Sequence, residues 1–159
     1  MWLLKRCTLL FALLAAGACG FTPVYSTGGS GTTLQDRVEV SEPETRNEFL
    51  LTQRLEERLG RTPTPAYRLT VEVSSEEEDI AVDSEGITTR FNLIGAADYI
   101  LVEEETGRVV TSGKVNNFTS YSASGTTVSE LAAERDARQR LMILLADQIV
   151  IRLLSADLS

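Results

Sequence analysis

The sequence predicts one α+β domain, with a four-stranded sheet of mixed direction and two helices, carried behind an export signal and a flexible tether. Three observations carry that expectation. Apolar residues follow a helical period up to Leu59, alternate from Tyr67 to about Tyr121, and return to a helical period from about Thr127. A short apolar leader and a glycine- and hydroxyl-rich stretch come first, and neither has the pattern of a packed element. The 141 residues left when 18 are taken from 159 suit a single hydrophobic core.

Residues 1–18 have the build of a signal peptide: Lys5 and Arg6 form the positive start, and Thr8 to Ala15 form the apolar core. A spanning helix needs about 20 apolar residues, and this run meets Gly17, Cys19 and Gly20 first. Ala16, Gly17 and Ala18 stand immediately before Cys19. This resembles the lipobox of bacterial lipoproteins, with Ala16 where Leu is usual, and implies lipidation of the Cys19 thiol and cleavage just before it. An ordinary secretory signal cut near Ala18 is the plainer alternative. Cys7 leaves with the signal, so Cys19 has no partner for an internal disulfide. At about 0.8 kcal/mol per buried methylene, two or three acyl chains hold a soluble domain at a membrane. Gly20 stands where an Asp would resemble an inner-membrane retention signal, which points to the outer membrane and a periplasm-facing domain.

Residues 19–33 form the lipidated start and the tether. The run Ser26 to Thr33 cannot build a core, and eight such residues reach roughly 15 Å. The domain then occupies residues 34–159. Val38 to Val40 alternates as a short strand, and Ser41 with Glu44 has capping-box spacing, which predicts a helix with Pro43 early in it. Leu51, Leu55 and Leu59 line one stripe of that helix with Phe49 beside it, and Gly60 is its expected C-cap. Arg46, Gln53, Arg54 and Glu57 form its solvated face.

From Tyr67 the period is two, with Tyr67, Leu69, Val71 and Val73 on one side. The acidic residues Glu76 to Asp79, with Asp83 and Glu85, read as a long loop or as the charged end of this strand. They lack the spaced arrangement of a calcium loop. A second long strand runs from about Ile87 to Glu103, with Phe91, Leu93, Ala97, Tyr99 and Leu101 in phase and a bulge or bend expected at Gly95. Glu104 to Gly107 makes a hairpin turn into a strand from Arg108 to about Tyr121. A long helix follows, from Thr127 or Ser129 to Leu154. Ala137, Leu141, Leu144, Leu145 and Ile149 form an arc that covers the sheet. Ile143, Val150 and Leu154 lie outside it, so either the first helix or a partner protein must cover them.

Composition narrows the function. Removing Lys5 and Arg6 leaves 13 basic residues against 23 acidic, so the formal charge moves from −8 to −10 and nucleic acid is excluded as a partner. Histidine is absent, which removes the commonest general base and metal ligand. There is no nucleophile elbow and no phosphate-binding glycine loop, so no catalytic residue, cofactor or metal is expected.

The element order behind a lipidated cysteine, together with particular residues, resembles the LptE family of lipopolysaccharide-assembly lipoproteins. Those residues are Cys19-Gly-Phe-Thr-Pro-Val-Tyr25; Tyr99 to Val102 with Thr106 to Val110 after it; and Asp136-Ala137, Leu141, Leu144 to Ala146, Gln148-Ile149 and Arg152-Leu153. The resemblance spans nearly the whole mature chain. It implies two helices packed on one face of a four-stranded mixed sheet, and a role as plug and assembly partner of the outer-membrane β-barrel LptD, with lipopolysaccharide as cargo and no covalent chemistry.

Direct contact with lipopolysaccharide needs cations beside apolar surface. Lys114 is the one lysine outside the signal, and a hairpin brings Arg90 of the neighbouring strand towards it, so the two are the candidate lipopolysaccharide-binding residues. Outward pairing of these cations with Asp98 or Glu72 is the competing expectation. Tyr25, Phe118 and Tyr121 are further candidates for touching a barrel, and Ile143, Val150 and Leu154 are the candidate partner contacts. A stand-alone periplasmic lipoprotein that binds a lipid or small amphiphile is the alternative function. A carboxylate-based hydrolase ranks last, since it has only the abundance of acids behind it.

Overall fold

The computed structural model of the protein describes residues 33–82, 84–123 and 125–156. Cys19, Tyr25 and the signal peptide lie outside them. The described chain runs β1 (Val38–Val40), α1 (Arg46–Leu59), β2 (Tyr67–Val82), β3 (Thr88–Glu103), β4 (Val109–Ser122) and α2 (Thr127–Leu154).

The sheet has the order β1-β2-β3-β4. β1 and β2 are parallel, joined by a crossover through α1, and pair Val38 with Tyr67 through Val40 with Leu69. The other two pairings are antiparallel, from Tyr67 opposite Glu103 to Val82 opposite Thr88, and from Arg90 opposite Ser122 to Val102 opposite Val109. This is the expected α+β fold, and the parallel crossover from β1 to β2 through α1 is what makes its sheet mixed.

α1 begins one turn later than the Ser41–Glu44 spacing suggests. Ser41 still donates its N–H to Leu69 O at 2.9 Å, prolonging the ladder beside β1. Pro43 then disfavours helical geometry at Glu42. The capping box falls instead on Thr45 and Glu48: the Thr45 hydroxyl accepts from Glu48 N at 3.2 Å, and the Glu48 carboxylate accepts from Thr45 N at 3.0 Å. Leu51, Leu55 and Leu59 are buried as expected, and Gly60 caps the end, while Phe49 is exposed.

The acidic run Glu76 to Asp79 is strand, not loop. It pairs with β3 from Ile94 to Phe91, so the backbone ladder, and not side-chain burial, orders it. All four side chains are exposed. The ladder of this hairpin slips twice: Ile80 is skipped between the pairs Asp79–Phe91 and Ala81–Arg90, and Thr89 between Ala81–Arg90 and Val82–Thr88.

Gly95 makes no bulge. It stays in register between Ser75 and Asn117, and a Cβ there would stand 2.9 Å from Leu141 Cδ2 and 3.1 Å from Leu145 Cδ1. The missing side chain lets α2 lie directly on β3.

One face of the sheet, carrying Leu69, Leu93, Ala97, Tyr99, Leu101 and Val115, joins both helices in a single core. α2 contributes buried residues on two sides, because it packs on the sheet and on α1 together. Leu141 and Leu145 meet Gly95 on the sheet. On the α1 side, Arg54 grips Asp147 with two N–H···O bonds of 3.1 Å. Leu144, placed in the sheet-covering arc by the sequence, turns outward and is exposed. The polar groups inside this core are satisfied; the Thr119 hydroxyl, for instance, donates to Ala137 O at 2.9 Å.

Candidate functional site

The second face of the sheet carries no covering element among the described residues. Alternation along each strand dictates what it shows. β4 presents Lys114, Asn116 and Phe118 in succession, and across β3 these stand opposite Asp98, Ala96 and Ile94. β2 continues the same rows with Glu72, Ser74 and Glu76. Three short side chains, Asn116, Ala96 and Ser74, therefore cross three strands in line. The charged row Lys114–Asp98–Glu72 flanks them on one side and the row Phe118–Ile94–Glu76 on the other. The result is a shallow trough of about 310 Å³ lined by Ser74, Glu76, Ile94, Ala96 and Asn116.

Asn116 also belongs to a second depression, of about 390 Å³, that wraps round the edge of β4. Its lining comes from Lys114, Val115 and Asn116 on the strand and from Gln148, Ile151 and Arg152 on the last turns of α2. Two cations meet here, with an exposed Ile151 beside them. Lys114 Nζ holds Asp98 at 3.0 Å in a pair that is about half exposed on both sides. Arg152 makes no ion pair among the described residues.

The two cations singled out from sequence do not form a site together. Arg90 stands opposite Ser122, whereas Lys114 stands opposite Asp98, eight positions further along β3. At about 3.3 Å per residue that is roughly 26 Å. The competing expectation, an outward Lys114 paired with Asp98, is what the side chains do. Arg152 was missed because only the fold brings the end of α2 alongside the middle of β4.

The candidate partner contacts on α2 divide. Val150 is 2% exposed and belongs to the core, Leu154 packs against that core, and Ile143 is half-buried. Together with Asp147 they form one helical stripe, and the Arg54–Asp147 bond shows that this stripe faces α1. α1 is therefore their cover, and Val150 has no surface to offer a partner. Tyr121 is buried, stacked on Phe91 at 5.3 Å and donating its hydroxyl to Glu77 at 2.8 Å. Burial, reinforced by that carboxylate, pushes its phenol well above the ordinary range. Phe118, by contrast, is 60% exposed on the open face.

A third depression, about 710 Å³, opens between the start of α1 and the first half of α2, lined by Arg46, Leu50, Glu134, Arg135, Arg138 and Gln139. Glu134 neutralises Arg138 there at 2.5 Å. Among the described residues no group of His, Cys, Asp and Glu is arranged to hold a metal, and no helix is long and apolar enough to cross a membrane.

The lipopolysaccharide-assembly family LptE matches residues 35–153, a span that takes in all four strands, α1 and all but the last residue of α2. The chain belongs to the LptE family. Solved structures similar to this LptE chain include a lipoprotein from Caulobacter crescentus, with 23% identity and a TM-score of 0.67, covering 80% of this chain and 95% of that one. Rare lipoprotein B from Shewanella oneidensis is similar at 16% identity and a TM-score of 0.58, covering 75% of this chain and 92% of that one. A minor lipoprotein from Acinetobacter baumannii follows at 17% and 0.56, covering 76% and 93%. At these identities the likeness is one of fold. No curated protein sequence matches.

Proposed function

We propose that this chain is an outer-membrane lipoprotein that partners and plugs the LptD β-barrel during delivery of lipopolysaccharide to the outer leaflet. The observation that carries the reading is the LptE match over residues 35–153. The uncovered sheet face, with Phe118 exposed on it, supplies surface for contact outside the domain. In this reading residues 1–18 are removed, Cys19 is lipidated, residues 19–33 form the tether and residues 34–159 form one periplasmic domain. The domain acts by binding and performs no covalent chemistry. Lys114 is its lipopolysaccharide-facing cation.

The test is an affinity pull-down of the full-length protein, tagged after Ser159, from detergent-solubilised outer membranes, with mass spectrometry of the co-purifying bands. A stoichiometric large β-barrel is the expected outcome. Recovery of the lipoprotein alone overturns the partnership and promotes the stand-alone amphiphile binder.

A further inference from the structure

We infer that the cleft between the start of α1 and the first half of α2 is a docking site for an acidic, extended segment of a partner protein, with Arg46, Arg135 and Arg138 gripping its carboxylates. The inference goes beyond the proposed function and does not rest on it, since the cleft lies in the helical layer and not on the open sheet face.

The seam between the two helices shows what the cleft lacks. Arg46, Leu50, Arg54 and Arg58 follow one another at one-turn steps along α1, as Arg135, Gln139, Ile143 and Asp147 do along α2. Where the seam is closed, Arg54 holds Asp147 with two bonds of 3.1 Å, and Arg58 reaches the same carboxylate at 3.5 Å. One anion from α2 thus joins two cations of α1. Eight positions earlier on each helix, the same register sets Gln139 beside Arg46, so a neutral amide stands where the closed part has a carboxylate. Arg135 and Arg138 flank it on α2. Like charge on both walls opposes closure. The seam opens there into a cleft of about 710 Å³.

The cations of this cleft stand out on an acidic chain. Outside the signal there are 23 carboxylate residues for 13 cations, and among the described residues Arg46 and Arg135 still hold no ion pair. Local sequence accounts for it. The residues three and four positions from Arg135 are Leu131, Ala132, Arg138 and Gln139, and those after Arg46 in α1 are Phe49 and Leu50, so neither cation has a carboxylate on its own helix face. Glu134, the carboxylate in the lining, is taken by Arg138 at 2.5 Å. Arg46 also opens α1, where the helix dipole disfavours a cation until an anion joins it.

The lining selects the ligand. Guanidinium forks match carboxylates two bonds at a time, and Arg54 already does this on Asp147. The cleft has the volume of a ligand-sized site, more than one small anion fills. Leu50 is the one apolar side chain among the described residues of the lining, so an acyl chain finds little apolar surface there. The Gln139 amide can both donate to and accept from a peptide main chain. A polypeptide segment with spaced Asp or Glu residues fits all of these features.

The experiment measures, by fluorescence anisotropy, binding of a labelled synthetic peptide of alternating alanine and glutamate to the full-length protein in non-ionic detergent at low salt. The unlabelled peptide, its glutamine counterpart and inorganic phosphate serve as competitors. Saturable binding is expected, with the glutamine peptide and phosphate at least tenfold weaker than the glutamate peptide. Arg46→Ala with Arg135→Ala should weaken binding at least tenfold, whereas Arg61→Ala with Arg68→Ala, which removes the same charge elsewhere, should retain it. Gln139→Glu supplies from within the anion that the open seam lacks, so it should weaken peptide binding at least tenfold and raise the Tm. The proposal is overturned by absence of saturable binding, by equal loss in the two double variants, or by wild-type affinity in the Arg46 and Arg135 double variant. An unraised Tm or wild-type affinity in Gln139→Glu overturns it too, as does competition by phosphate or the glutamine peptide as effective as by the glutamate peptide.

Discussion

Single residues settle where the elements begin and how closely they pack. Thr45 and Glu48 close the N-terminus of α1 on each other, and Thr45→Ala should lower stability by about 1 kcal/mol in urea denaturation. Slight burial works to raise the Glu48 pKa, but the N–H donors of Glu44 and Thr45 outweigh it and hold the carboxyl below its ordinary value. A folded-state pKa below the unfolded one adds stability above the unfolded pKa, and that stability is lost as pH falls through the folded value. Glu48→Gln should therefore flatten the acid side of the stability profile below the ordinary glutamate range and leave its shape above pH 7 unaltered. Gly95→Ala drives a methyl group into Leu141 and Leu145, and overpacking of this kind should cost about 1–3 kcal/mol in the same assay. From sequence, Gly95 and Ile80 were both opaque. A glycine in a strand signals a bulge or a close approach, and only the helix lying over it distinguishes the two.

At the scale of elements, what was legible depended on whether the pattern was local. The leucine stripe of α1, the turn from Glu104 to Gly107 and the start of α2 at Thr127 are written in spacing and turn chemistry. The run from Glu76 to Asp79 was not, because no side chain in it is buried, and its order comes from hydrogen bonds to β3 that sequence spacing does not encode. Amide exchange should reveal this. β1 ends at Val40, opposite Leu69, so beyond that point alternate amides of β2 face β3 and the others face water. Protection alternating residue by residue from Glu76 to Asp79 is the expected result, whereas a loop would exchange uniformly fast. The two-sided burial of α2 was half visible: the sequence showed apolar residues outside one arc, but not that Arg54 and Asp147 turn that second stripe towards α1. A double-mutant cycle on Arg54 and Asp147 should return a coupling of about 0.5–1 kcal/mol, since the pair is bidentate and only partly exposed.

For the molecule as a whole, the four strands and two helices followed from composition and period, while the assignment of surfaces did not. Lys114 was found because it is chemically alone, but its neighbour in space is Arg152 on α2, not Arg90 on the adjoining strand. Period-two spacing on β4 places Lys114, Asn116 and Phe118 together on one face, so half of the trough was readable in advance. The other half needs the strand order.

Because β1 is only 3 residues long, most of the outer edge of β2 is left without a neighbouring strand among the described residues, as is the whole outer edge of β4. Such edges invite pairing between copies, and charge is the means by which proteins discourage it. Here the long β2 edge carries Glu72, Glu76, Glu77, Glu78 and Asp79. Repulsion between the like-charged β2 edges of two copies opposes such pairing at neutral pH, and that protection depends on pH. Towards the sequence isoelectric point of about 4.6 the net charge of the chain falls to zero, this repulsion weakens, and the same backbone groups become templates for strand addition. Static light scattering should therefore show colloidal stability at neutral pH and rising self-association as the solution approaches that value.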